Sequence, residues 1–76
     1  MEKSIYTDDH RRICQRLREL REKAGLSQID LAERLGVSQS FVTKYERGDR
    51  RLDLIQLREV CRALGIKLSK FTKEFE

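Results

Sequence analysis

The sequence contains no proline, no tryptophan and only four glycines among its 76 residues. Because proline and glycine are the residues that most often break helices or form linkers, their scarcity argues against a disordered chain. No apolar run approaches the roughly 18–20 residues that a membrane-spanning helix requires. The first residues also lack the apolar stretch of a secretory signal, so we expect a cytoplasmic protein with no membrane association.

Histidine and cysteine are also scarce. His10, Cys14 and Cys61 are the only residues of these two types, and they do not make up the ligand set of a zinc site. We expect both cysteines to be reduced and to pack as small apolar side chains, although one disulfide would be possible in an oxidising compartment. Without a visible Cys–His pair or a glycine-rich phosphate loop, the sequence predicts no enzyme, metal site or cofactor.

Neither sign of charge dominates, since 17 Lys and Arg stand against 13 Asp and Glu, for a net charge of +4. Acidic and basic residues alternate along the chain, which excludes a polybasic tail. The basic residues that stand out are local: Lys44, Arg47, Arg50 and Arg51 lie along and just after one short predicted helix. Such a cluster suits the phosphates of a nucleic acid, and an ordinary solvated charge cluster that includes Asp49 is the competing interpretation.

Apolar residues recur at intervals of three or four, and no window alternates in the manner of a strand. The pattern predicts an all-α fold of five helices, at about residues 8–24, 28–35, 39–47, 54–64 and 68–75. Residues 1–7 are expected to form a flexible N-terminal segment, and residues 8–76 a single domain.

Capping residues precede four of the five predicted helices, whereas Lys67 stands where a cap would be expected before the last one. The candidate N-caps are Thr7, Ser27 (in a capping box with Asp30), Ser38 and Asp53 (with Gln56).

The second and third predicted helices are short and are joined around Gly36, which can adopt a positive φ, while Ala32 is small where the two helices would cross. In this region the sequence resembles the helix-turn-helix repressors of the phage repressor and Cro family, also called Xre-like. The resemblance rests on the runs LRELREKAGLSQ (residues 17–28), LAERLGVS (31–38) and VTKYERG (42–48), and extends over about residues 10–75.

The resemblance implies a lambda-repressor-like domain that inserts its third helix into the major groove of double-stranded DNA, usually as a homodimer on a palindromic operator. The residues that match the base-reading face are Gln39, Ser40, Thr43 and Lys44, whose amide, hydroxyl and ammonium groups suit base edges. Contacts to the DNA backbone are expected from Gln28, Ser38, Arg47, Arg50 and Arg51.

Further expectations concern packing. The resemblance implies a partly buried ion pair between Arg21 and Glu46. Phe41 is expected to pack in the core, with a contact to DNA as the alternative. The dimer interface is expected on the fourth and fifth helices, through Leu52, Leu68, Phe71 and Phe75.

The leading hypothesis is therefore a sequence-specific transcriptional regulator, in the first place a repressor, of bacterial or phage origin and nucleoid-associated when bound. The alternative is a protein-interaction module on the same fold, such as a bridging co-activator or the antitoxin of a toxin–antitoxin pair, which would make a toxin its partner. A large exposed apolar patch with an unused third helix would favour the alternative.

Overall fold

The computed structural model describes the backbone of residues 2–76, and the side chains from Asp8 onward. This part of the chain forms five α-helices and no strand, as predicted. The helices are α1 (Glu2–Lys23), α2 (Gln28–Leu35), α3 (Gln39–Glu46), α4 (Leu54–Leu64) and α5 (Leu68–Lys73).

The start of α1 differs from the prediction. The helix begins at Glu2, so Thr7 lies inside it and is not its N-cap. No glycine or proline separates residues 2–7 from the rest of the helix, and a residue that can cap does not stop a helix that the preceding sequence can continue. The expectation of a flexible segment at residues 1–7 otherwise falls on Met1 and on side chains that lie outside the described residues.

The remaining helix ends follow the local chemistry that the sequence predicted. Ser27 and Asp30 form a reciprocal capping box before α2, and Asp53 and Gln56 form another before α4. Ser38 caps α3 by accepting from the backbone N–H of Phe41, whereas Lys67 makes no side-chain cap for α5.

The turn between α2 and α3 depends on Gly36. Gly36 adopts φ 71° at the C-terminus of α2, and the Val37 N–H donates to the Ala32 carbonyl at 3.0 Å, so that only three residues separate α2 from α3. The two helices pack against each other, α1 packs on α3, and α4 packs on α2 and α5.

One core holds the five helices together. Each helix contributes at least one buried side chain to it, and the buried side of α3 contributes Val42 and Tyr45. The members of this core are Leu17, Leu31, Ala32, Val42, Tyr45, Val60, Cys61 and Phe71. No helix within the described residues is long and apolar enough to cross a membrane.

Candidate nucleic-acid interface

The outward face of α3 carries polar side chains in solvent. Gln39, Ser40 and Lys44 are exposed, while Val42 and Tyr45 on the opposite side of the same helix are buried. Since positions 39, 40, 43 and 44 lie on one side of a helix with 3.6 residues per turn, the structure brings the predicted base-reading residues together on one surface. This surface presents the Gln39 amide, the Ser40 hydroxyl and the Lys44 ammonium group, all of which can donate to base edges.

Thr43 differs from its neighbours on this face because its hydroxyl already has a partner. The Thr43 Oγ1–H donates to Gln28 Oε1 at 2.6 Å, and the Gln28 Nε2–H donates to Glu46 Oε1 at 3.0 Å. Gln28 therefore links the first turn of α2 to α3. Its amide retains one further N–H, which is the part of the side chain available to a phosphate.

Glu46 also receives Arg21, and the two form the ion pair that the resemblance implied. Arg21 Nε lies 2.7 Å from Glu46 Oε2, and Nη2 lies 3.1 Å from Oε1, so the pair is bidentate. The side chains are 9% and 2% exposed, and Arg21 Nη1 also donates to the Leu26 carbonyl at 2.7 Å. The hydrogen bond to Glu46 raises the pKa of Arg21. The fixed charge on Arg21 thus ties α1 to the C-terminal end of α3.

The three predicted backbone-contacting arginines lie in the segment after α3, residues 47–53, and all three are exposed. They are not equally free. Arg47 Nε lies 3.4 Å from Asp49 Oδ2 in an exposed ion pair. The Arg50 guanidinium stacks 4.6 Å from the centre of the Phe41 ring, a cation–π contact that orients it beside α3.

Phe41 itself is half-buried rather than fully in the core. Its ring packs edge-on against Tyr45, with 5.9 Å between ring centres, and carries Arg50 on its surface. Ser38 is exposed, and its hydroxyl oxygen is used in the cap of α3.

A contact that the sequence analysis missed joins α1 to the segment after α3. The Nε2 atom of His10 lies 3.1 Å from the Gly48 carbonyl oxygen, and the same ring lies 3.8–3.9 Å from the Cys14 sulfur. The four-residue spacing of His10 and Cys14 on one predicted helix could have indicated their own contact, but no spacing in the sequence connects His10 with Gly48. Burial raises the pKa of the Cys14 thiol, so this thiol is held in its neutral form.

The two cysteines and Tyr45 are buried, and burial raises their pKa values. Burial raises the pKa of Cys61 to about 11 and raises that of Tyr45 further above its ordinary value. Both cysteines are free thiols, and the side chains described here include no cluster of His, Cys, Asp and Glu suited to a metal ion. The Tyr45 hydroxyl makes no hydrogen bond within the described part of the chain.

The predicted dimer surface needs one correction. Phe71 is 1% exposed and belongs to the core of the protomer, where it packs against Phe75 with ring centres 5.2 Å apart, so its side chain is not available to a second copy. Its position in the apolar repeat of α5 is the reason, since that face is needed to close the core. Leu52, Leu68 and Phe75 are half-buried.

Comparison with known proteins identifies the family to which this fold belongs. A family model described as "Helix-turn-helix" matches residues 17–71. An XRE-family like protein from Pseudomonas syringae has a solved structure that superposes with a TM-score of 0.84, at 38% identity over 99% of this chain and 96% of that one. The restriction-modification controller protein C.AhdI from Aeromonas hydrophila superposes with a TM-score of 0.77, at 39% identity over 87% of this chain and 98% of that one.

A curated relative from Rhodospirillum rubrum, named as a transcriptional regulator in the ATPase CF(0) region, is 35% identical over 93% of this chain. The chain spans 64% of that relative's length, and smaller shares of several longer regulatory proteins with which it aligns. With the helix-turn-helix geometry, these similarities establish that the chain belongs to the XRE-type helix-turn-helix family of DNA-binding transcriptional regulators, which are not enzymes.

Proposed function

We propose that this protein is a sequence-specific repressor that places α3 in the major groove of a palindromic operator as a homodimer. The observation that carries the proposal is the outward face of α3, where Gln39, Ser40 and Lys44 stand in solvent on a helix whose other side is buried. An exposed recognition helix of this kind fits the major groove of B-DNA, which is about 12 Å wide.

The proposed roles within this surface follow from the chemistry of the side chains and, for Thr43, from its hydrogen bond to Gln28. Gln39 suits the adenine edge and Lys44 suits guanine, while Ser40 can adapt to either base. Thr43 contributes its methyl group, because its hydroxyl is engaged with Gln28. Contacts to phosphates come from Gln28 and Ser38, and from the arginines at positions 47, 50 and 51, which lie next to the end of α3.

Selection from a pool of randomised duplexes tests the proposal, because it returns the site, its symmetry and the half-site spacing together. We expect an enriched palindrome with half-sites about one helical turn apart, and an affinity that falls steeply with salt. Lys44→Ala should relax selection at one position of each half-site, whereas Lys70→Ala, which removes an exposed lysine of α5, should leave the selected sequence unchanged. A pool with no enriched, salt-sensitive site at micromolar protein would contradict the proposal.

The homodimer has its own support in the structure. Among the described residues the large apolar side chains that stand in solvent are Leu54, Ile55 and Ile29, exposed by 65%, 56% and 53%. Leu54 and Ile55 adjoin Leu52 at the start of α4, within the predicted interface, whereas Ile29 lies on α2. We therefore assign the interface to this end of α4, together with Leu68 and Phe75, and without Phe71.

Sedimentation tests the dimer with a matched pair of variants. Ile55→Glu should shift the protein from dimer to monomer, because it places a charge in the proposed apolar contact. Ile29→Glu is the control, since it makes the same change at a similarly exposed isoleucine outside the interface. A wild-type protein that sediments as a monomer both free and on its operator would overturn the dimer.

Repression is proposed as occupancy of the operator, which blocks polymerase. The relatives reported above are named as a transcriptional regulator, an XRE-family like protein and a controller protein, and none of them as an antitoxin, so we do not propose a toxin as partner. A reporter gene placed downstream of the selected site tests the sign of regulation, and an increase in expression on adding the protein would make it an activator.

A further inference from the structure

The segment after α3 carries the three arginines proposed to contact phosphates, and it begins with a turn at Gly48 and Asp49. The Gly48 N–H donates to the Tyr45 carbonyl at 3.1 Å, and the Asp49 N–H donates to the Lys44 carbonyl at 2.8 Å. Both bonds run back to α3 itself. Gly48 has φ 85°, so the chain leaves the helix axis sharply at this residue.

His10 supplies a contact to this turn from a different helix. Its Nε2 atom lies 3.1 Å from the Gly48 carbonyl oxygen, and a Cβ added at Gly48 would lie 3.8 Å from two atoms of the His10 ring. The atom of Gly48 that His10 contacts, the carbonyl oxygen, belongs to the backbone of the turn. The bond therefore restrains the path of the chain and not one rotamer.

The imidazole also contacts a side chain of its own helix. Cys14, one turn further along α1, lies 3.8–3.9 Å from the ring nitrogens and is 5% exposed. Because burial raises the pKa of Cys14, this neighbour is a neutral thiol and adds no charge beside the arginines. The ring is thus packed by a buried side chain and directed at the carbonyl of the turn.

We propose that His10 is a positioning residue for DNA binding, which holds the turn at Gly48 so that Arg47, Arg50 and Arg51 face the DNA backbone. The mechanism is a reduction of the conformational freedom that these arginines must lose on binding. His10 acts through the turn and makes no contact with DNA itself. This inference rests on the proposed DNA-binding function.

The first readout does not involve DNA. In hydrogen exchange of the free protein, His10→Ala should speed exchange of the Gly48 and Asp49 amides severalfold, because the turn loses its contact to α1. Amides in the middle of α4 should be unchanged. His10→Gln, which retains a side-chain N–H donor of similar reach, should restore slow exchange. Equal exchange rates at Gly48 and Asp49 in wild type and His10→Ala would overturn the inference.

The second readout is the affinity for a duplex, followed by fluorescence anisotropy over a range of salt concentrations. His10→Ala should weaken binding about threefold to tenfold, the size expected for one hydrogen bond. It should also lower the slope of log affinity against log salt by about one, since an arginine that no longer reaches its phosphate releases fewer counterions. His10→Gln should recover both values, and Gln15→Ala, at an exposed neutral residue of α1, should change neither.

The outcomes distinguish the DNA-binding function of the protein from the positioning role of His10. If wild type binds no duplex, the proposed function fails, and the exchange experiment still decides whether His10 holds the turn. If wild type binds DNA and His10→Ala binds with the same affinity and salt slope, the positioning role is wrong while the function stands. A lower melting temperature with an unchanged salt slope would mean that His10 serves stability alone.

Discussion

Loss of the Arg21 charge should destabilise the protein far more than loss of any surface charge. In Arg21→Met the aliphatic part of the side chain is retained, but three hydrogen bonds are removed, two to Glu46 and one to the Leu26 carbonyl. The Glu46 carboxylate, 2% exposed, is then left with Gln28 as its hydrogen-bond donor. Stranding a buried charge in this way costs about 3–5 kcal/mol.

That cost is a large part of the total stability. A domain of 76 residues is expected to be stable by about 4–11 kcal/mol, from about 0.05–0.15 kcal/mol per residue. Urea denaturation followed by far-UV circular dichroism should therefore show a fall in the free energy of unfolding of at least about 3 kcal/mol. Thermal denaturation should show a melting temperature lower by more than about 12 °C.

Two further variants isolate the charge. Arg18→Met makes the same change on the same helix, but the Arg18–Glu22 pair is exposed at 61% and 54%, so its loss should cost less than about 0.5 kcal/mol. The double variant Arg21→Met with Glu46→Leu removes both charges and should recover much of the stability, since no charge is left buried. If Arg21→Met were no less stable than Arg18→Met, the assignment of a buried clasp would be refuted.

Three other expectations follow from individual groups. The backbone N–H of Ser27 lowers the pKa of Asp30, and the Arg16 side chain lowers the pKa of Glu74. Both carboxylates therefore contribute stability that is present above pH 4.5 and is lost as the pH falls through the lowered values. In urea titrations Asp30→Asn should therefore lose less stability than wild type between pH 5 and pH 2, and an unchanged acid limb would contradict the capping box. Gly36→Ala should cost about 1–2 kcal/mol by the same assay, from its φ of 71° alone, because a Cβ there meets nothing within 4 Å; a cost near zero would show that the turn relaxes. Cys61, whose pKa is raised to about 11, should react with a thiol reagent at pH 8 only after unfolding in urea, and rapid reaction of the folded protein would show that α4 opens.

The sequence predicted the features that depend on local chemistry. The periodicity of the apolar residues indicated the number of helices, and the caps Ser27, Ser38 and Asp53 indicated three of their starting points, because capping is decided within four residues. The predicted start of α1, at about residue 8, was wrong because it also relied on local capping chemistry. Thr7 has the chemistry of a cap, but a helix that can continue through it has no cause to begin there.

The features that the sequence left open depend on contacts across the fold. Phe71 and Leu68 lie in the same apolar repeat, and only the packing of α5 on α4 shows that Phe71 closes the core. The contact of His10 with Gly48 spans 38 residues, and no spacing rule connects them. The hydrogen bond between Thr43 and Gln28 is of the same kind. The sequence predicted a separate DNA contact for each of these residues and no contact between them.

The hydrogen bonds from Arg21 through Glu46 and Gln28 to Thr43 connect the outward face of α3 to the buried ion pair. Gln28 Nε2 donates to Glu46 and its Oε1 accepts from Thr43, so the orientation of the amide is fixed by both neighbours. Glu46 is in turn oriented by the bidentate Arg21, which leaves no member of the chain free to rotate alone. A change at Arg21, which lies on α1, therefore reaches the outward face of α3 through three hydrogen-bonded side chains. The pair that stabilises the fold also aligns the helix proposed to read DNA.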